Sequence, residues 1–267
     1  MHLCSLYRYP LKSGSAETLE HGRCDELGLI GDRRWMVVDA ASGKFLTQRV
    51  LPKMALLEAR LAEDDALMLN APGMDALVVP APAEGSSLRG VLIWRESLQV
   101  PDAGDAAAIW LTRWLERPCR LVHLPNSRAI QIDPGYARPG ERTGFTDGFP
   151  FLLIGQGSLD DLSARVGQLL DERRFRPNLV IAGAAPFAED GWRRIRIGDL
   201  EFRVVKPCSR CIIPTIDPLT AERSPVQQPL ATLASYRKRE GGVLFGQNLI
   251  AEGTGELQPG MPVTILD

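Results

Sequence analysis

The sequence predicts an α+β fold that is predominantly β, with a few helices at the periphery. Three observations carry this. The first third is a succession of strand-length runs broken by Gly, Pro, Asn and Asp at barrel- or sandwich-like intervals. Helical spacing of apolar residues is confined to three short stretches, Asp105 to Glu116, Ser158 to Leu170 and Leu230 to Lys238. The chain closes on short strands joined by Gly and Pro turns, from Val243 to Leu266.

Taken in order, Leu3 to Leu11 reads as an extended segment, with Pro10 favouring an edge or turn conformation. It leads into Lys12-Ser13-Gly14, a small donor-rich turn suited to an anion. Arg34 to Asp39, a turn at Ala41-Ser42-Gly43 and the return Lys44 to Arg49 read as a β-hairpin with basic residues at its base. Leu56 to Ala62, Ala66 to Leu69, Ala76 to Val79 and Gly90 to Val100 have strand length, and Pro80 to Ser87 is a surface loop. In the first helical stretch Asp105 caps the start, Pro118 follows the end, and Trp110 and Trp114 anchor a core face. Leu121 to Leu124 resumes as a strand carrying a structural His123. Asn126 to Gly148 has little periodicity and is the candidate functional loop or domain joint. Phe149 to Ile154 is a buried strand, and Ser158 reads as the cap of the next helix. Arg176 and Asn178 flank a stiffening Pro before the strand Leu179 to Ala182. There the planar donor fork of Arg fits phosphate, although a solvated basic turn fits the residues as well.

Composition sets limits. The 267 residues suit one large domain or two small ones, and 45% hydrophobic content is enough for a sizeable core. A formal net charge of −2 gives no general case for binding nucleic acid duplexes. No apolar run approaches the ~20 residues of a membrane helix. Five cysteines, an odd number, and no hydrophobic signal stretch point to a reduced, cytoplasmic protein.

The chemistry concentrates at Cys208-Ser209-Arg210-Cys211, at the end of the alternating run Leu200 to Val205. A structural zinc site needs four ligands, and Cys4, Cys24, Cys119, His2, His21 and His123 are all isolated. A thioredoxin-like dithiol needs a helix after the first thiol, and Pro214 among β-branched residues does not read as one. Two readings stay open: partly buried thiols that fill space, and one thiolate that binds a soft metal beside the cationic Arg210.

Several short motifs occur together: Tyr9-Pro10-Leu11-Lys12-Ser13, Gly31-Asp32-Arg33-Arg34-Trp35, Phe175-Arg176-Pro177-Asn178, the Cys pair, Asp217-Pro218 and Leu244-Phe245-Gly246-Gln247. In this order they resemble the MOSC family, named for the C-terminal domain of molybdenum-cofactor sulfurase. The resemblance covers nearly the whole chain. It implies an N-terminal MOSC β-barrel domain over 1–120 packed on a MOSC β-barrel domain over 121–267. It further implies a molybdopterin-type molybdenum cofactor between the two, with Cys211 as the metal ligand. Lys12, Ser13, Arg33, Arg176 and Asn178 match the cofactor-phosphate contacts, and Ser209 joins them as cofactor-binding. Asp217 is placed with Cys211 as catalytic, positioning substrate or relaying a proton, against its reading as a turn residue before Pro218. Within that family it resembles the amidoxime-reducing and N-hydroxylated-base-reducing enzymes. The implied activity is thus oxidoreductase, a two-electron reduction of an N–O bond in a small N-oxygenated substrate. No iron–sulfur pattern follows the second domain, so an external reductase or ferredoxin is expected to donate electrons. The alternatives are a carrier of molybdenum cofactor or sulfur that uses a Cys persulfide without turnover, and a thiol-redox protein that uses the pair as a disulfide.

Overall fold

A computed structural model describes residues 1–83 and 85–267; Glu84, in the Pro80–Ser87 stretch, lies outside them. Among the described residues the fold is mostly β with three α-helices, as the spacing predicts. The chain opens on β1 (His2–Arg8), and β2 (Trp35–Asp39) follows the first turns. The predicted hairpin after β2 forms but is short: the Asp39 N–H donates to the Lys44 carbonyl at 2.9 Å and the Leu46 N–H to the Val37 carbonyl at 2.8 Å, around a bridge of Val38 to Phe45. The main partner of β2 instead comes from much further along, beyond α1 (Asp105–Leu115), as β3 (Cys119–His123). Trp35 to Val38 are buried, and β3 covers one edge of β2 with the buried Leu121 and Val122 while the hairpin return lies on the other. The run Gly90 to Val100 is two strands, Leu88–Ile93 and Glu96–Pro101, folded on each other.

Helix α1 lays Ala107, Leu111 and Leu115 on a core with Trp35, Leu57, Leu69 and Leu121. Full burial of each leucine stabilises by about 1.5–3 kcal/mol. Gly104, not Asp105, holds the N-cap position, and Asp105 instead meets Arg120 at 2.6 Å.

The second half supplies β4 (Phe151–Gly155), α2 (Gln156–Val166), β5 (Leu179–Ala182), β6 (Arg194–Ile197), β7 (Leu200–Ser209), α3 (Leu230–Tyr236), β8 (Gly242–Ala251) and β9 (Val263–Ile265). Helix α2 begins two residues before Ser158. The Ser158 hydroxyl is drawn instead to the buried Glu189 carboxylate, donating at 2.7 Å to one oxygen. The strands form one curled, 9-stranded sheet in the order Glu17–Thr18, β1, β5, β4, β8, β7, β6, β9, with Lys238–Arg239 added on β8. Strand β1 thus crosses from the N-terminal part to pair antiparallel with β5. Gly255–Leu257 returns the exchange by pairing with Gly22–Asp25. One core holds Leu3, Phe151, Leu179, Phe202 and Leu249. Another packs α2 and α3 against Ile154, Val180, Phe175 and Phe245. No helix among the described residues is long and apolar enough to cross a membrane.

Candidate functional site

Sheet register builds the site. Lys206 pairs with Asn248, Asn248 with Leu152, and the backbone N–H of Asn178 donates to the Leu152 carbonyl at 2.8 Å. Four neighbouring strands therefore set these residues in a row across the sheet. All four line one cleft of about 360 Å³. Strand β7 reaches it through register shifts between Val204 and Lys206 and between Pro207 and Ser209, irregularities that re-aim side chains. The other wall comes from the N-terminal part: Lys12 and Ser13 after β1, Arg33 in the turn before β2, and Thr47, Arg49 and Trp94.

The cleft is strongly cationic. Lys12, Arg33, Arg49, Arg176, Lys206 and Arg210 line it, against the single carboxylate of Asp147. It is also where the backbone is strained. Of ten non-glycine residues at positive φ among those described, Ser13 (65°), Arg33 (49°), Trp94 (53°) and Arg176 (56°) line this cleft. Such conformations cost roughly 1–3 kcal/mol each and collect where geometry serves a ligand.

Each cation is held differently. Lys12 is 4% exposed, and its ammonium donates to the carbonyls of Phe145 (2.8 Å) and Thr146 (3.3 Å) and to Asp147 (2.6 Å). Burial pushes its pKa down, partly countered by Asp147. Partial desolvation works against an ionised Asp147, whose side chain stays 59% exposed, yet the charge and hydrogen bond of Lys12 hold this carboxyl well below the usual range. Arg33 Nη1 meets Asp32 (2.5 Å) and Asn178 Oδ1 (3.0 Å), and Nη2 donates to the Arg176 carbonyl (3.1 Å). Arg176 donates to the Gly14 carbonyl at 2.6 Å and has no carboxylate partner among the described residues. Burial, then the charge of Arg33, lowers its pKa to about 10. An enclosed guanidinium without a counterion leaves room for an anion.

The two thiols separate cleanly. Cys208 is part-buried, and Arg210 Nη1 donates to its sulfur at 3.1 Å while Nη2 donates to the Phe175 carbonyl at 2.6 Å. Cys211 is exposed in the same cleft and has no hydrogen-bond partner among the described residues. Cys211 is thus the free sulfur, and Arg210 braces the Cys pair against the Arg176 turn.

The structure brings Cys211, Lys12, Ser13, Arg33, Arg176, Asn178 and Ser209 into one cleft. Two of them have their side chains committed elsewhere. Asn178 is 1% exposed; its Oδ1 accepts from Arg33 and from the Leu152 N–H (3.2 Å), and its Nδ2 donates to the Tyr7 carbonyl (3.1 Å). It holds Arg33 rather than presenting a donor. The Ser209 hydroxyl donates to the Gly241 carbonyl at 2.9 Å.

Asp217 does not line this cleft. One oxygen accepts from the Leu219 (2.9 Å) and Thr220 (3.1 Å) N–H groups, and the other is paired with Arg174. It is a turn residue, and its carboxylate is fully engaged. Sequence reasoning also missed Asp147, Arg49, Trp94 and Lys206. Arg49 reaches Asp147 at 3.5 Å, and Trp94 faces both Lys12 and Arg49. Asp147 belongs to the aperiodic 126–148 loop, Arg49 and Trp94 to turns, and Lys206 to the end of β7, where nothing in the sequence marks it.

No group of three or more His, Cys, Asp or Glu among the described residues could hold a metal ion. The donor set is one soft sulfur over a cationic bed. It fits a soft metal that arrives inside an anionic organic ligand, and does not fit a bare ion.

A thiol-bearing cationic cleft shared by two interlocked β units defines the class. The chain matches the MOSC N-terminal beta barrel domain over residues 1–118 and the MOSC domain over residues 140–264, and it belongs to the MOSC family. It is 33% identical over 282 residues to mitochondrial amidoxime-reducing component 1 of Homo sapiens, covering 99% of this chain and 82% of that protein. The Mus musculus counterpart is 32% identical over 281 residues, with the same coverage. The molybdenum cofactor sulfurase of Solanum lycopersicum is 32% identical over 274 residues, 91% of this chain but only 32% of that protein.

Proposed function

We propose that the protein is a molybdenum-cofactor-dependent reductase of small N-oxygenated compounds, supplied with electrons by a separate donor protein. The observation that carries this reading is the exposed, partnerless Cys211 sulfur in the same cleft as Arg176, a guanidinium without a carboxylate. The names of the amidoxime-reducing relatives support the substrate class.

When bound, the cofactor supplies the two-electron chemistry that reduces an N–O bond, with water as co-product. The chain's own residues do the rest. Cys211 is the metal ligand. Arg176 offers the N–H donors left over from Gly14 to the cofactor's phosphate. Arg33, fixed by Asp32 and Asn178, adds its charge from the N-terminal side. Lys12 contributes charge rather than a free donor, because all three of its N–H groups are taken. The exposure of Cys211 leaves the reacting end open to substrate and to the electron donor.

The direct test is reduction of a hydroxylaminopurine by metal-loaded protein with an artificial electron donor. The reading expects stoichiometric amine. No turnover across several N-oxygenated compounds, despite full metal loading, would sink it.

A further inference from the structure

Two like charges at the core of this cleft share one aromatic ring. The Arg33 guanidinium lies 4.4 Å and that of Arg176 4.3 Å from the centroid of Tyr9. The ring is fully buried. Its backbone is fixed, because the Tyr9 N–H donates to Asp32 at 2.8 Å and the Tyr9 carbonyl accepts from the Arg33 N–H at 2.7 Å. Around it pack Ile154, Phe175 and Val180.

The guanidiniums come from segments 143 positions apart and repel one another. Each is attracted to the electron-rich face of the ring. The Tyr9 hydroxyl, by contrast, has no hydrogen-bond partner among the described residues. The ring is therefore in use and the hydroxyl is not.

We infer that Tyr9 is a positioning residue: its ring fixes the separation and aim of Arg33 and Arg176, so that they grip one phosphate group together. This deepens the proposed function, because it rests on the cleft holding a phosphate-bearing ligand. It assigns the opening Tyr9-Pro10-Leu11-Lys12-Ser13 motif a second task besides delivering Lys12.

The test uses full-length protein from a host unable to make the cofactor, titrated calorimetrically with pyrophosphate. Tyr9→Phe keeps the ring and is expected to bind within about twofold of wild type. Tyr9→Leu keeps an apolar filler without a π-face and is expected to bind at least about tenfold more weakly. Arg176→Lys keeps the charge, loses the planar stacking group and leaves the core untouched, and should weaken binding similarly. Tyr9→Met, an adaptable filler that also lacks a π-face, decides the matter if Tyr9→Leu does not fold. A merely structural Tyr9 would leave folded Tyr9→Leu or Tyr9→Met binding like wild type, and that result overturns the inference. Wild-type protein that ignores pyrophosphate overturns it as well. Failure of the proposed function alone reads differently: pyrophosphate binds as expected, while protein from a molybdenum-replete host carries no molybdenum.

Discussion

Arg176 shows most clearly how a single residue is shaped for a ligand. It sits at φ 56°, stacks on Tyr9 and meets no carboxylate. A folded protein without its ligand gains little from such a group. Arg176→Met is therefore expected to shift the Tm of cofactor-free protein by no more than about 4 °C. Its molybdenum content after expression in a replete host should fall by about tenfold or more, the loss expected for a charge-assisted hydrogen bond. A strong loss of stability with full metal content would contradict this. His123 makes the opposite case, a structural residue with a pH signature. Its ring packs on Trp35 at 4.6 Å, and burial, then the charge of Arg34, lowers its pKa to about 4. Between about 6.5 and 4 the unfolded chain binds more protons than the folded one, so stability is lost as pH falls through that window. Replacing His123 by Gln should remove roughly 2 kcal/mol of the stability difference between pH 7 and pH 5 in urea titrations. Residues in short motifs were legible in the sequence: Cys211, Lys12, Arg33 and Arg176 all meet in the cleft. Commitments of side chains were not. The amide of Asn178 and the carboxylate of Asp217 are spent on neighbours that only the folded chain brings near.

At the scale of elements, the loop from Gly144 to Asp147 matters more than its composition suggested. It carries the carbonyls and carboxylate that hold Lys12, and it is fastened where the Phe145 N–H donates to the Arg33 carbonyl at 2.8 Å. Gly144 passes so close to the Arg33 turn that an added Cβ would stand 2.8 Å from the Arg33 carbonyl oxygen and 3.1 Å from that of Asp32. These are backbone atoms and cannot turn aside. Gly144→Ala is expected to lift the loop off the turn, loosening the hold on Lys12 and Arg33 together. Pyrophosphate affinity should drop several-fold with a Tm loss of a few degrees; unchanged affinity would show that the loop tolerates displacement. The alternating and helical patterns that mark β7, α1 and α3 were readable because periodicity encodes burial. The loop has no period, so only its joint character could be read. The pairing of β2 with β3 was hidden for another reason: a strand's pattern says that it is buried, not which strand lies beside it.

The whole molecule is interlocked rather than two beads on a string. β1 leaves the N-terminal part to become a strand of the large sheet, and Gly255–Leu257 makes the reverse crossing. The cleft draws Lys12 and Arg33 from one part and Arg176 and Cys211 from the other. A fragment of residues 121–267 would expose the edge of β5 and lack half of the cationic wall. It is expected to show no cooperative unfolding and no pyrophosphate binding, and a folded, binding fragment would contradict the interlocking. The central claim is narrower. Under the proposed function one sulfur, Cys211, would hold a metal whose organic carrier would rest on arginines from both parts. The measurement that tests it most directly is molybdenum and phosphorus per chain in protein from a molybdenum-replete host. Wild type and Cys208→Ala should both carry close to one molybdenum, and Cys211→Ala should carry almost none. Equal loading in all three, or metal-free wild type with labile sulfur on a cysteine, would contradict the account.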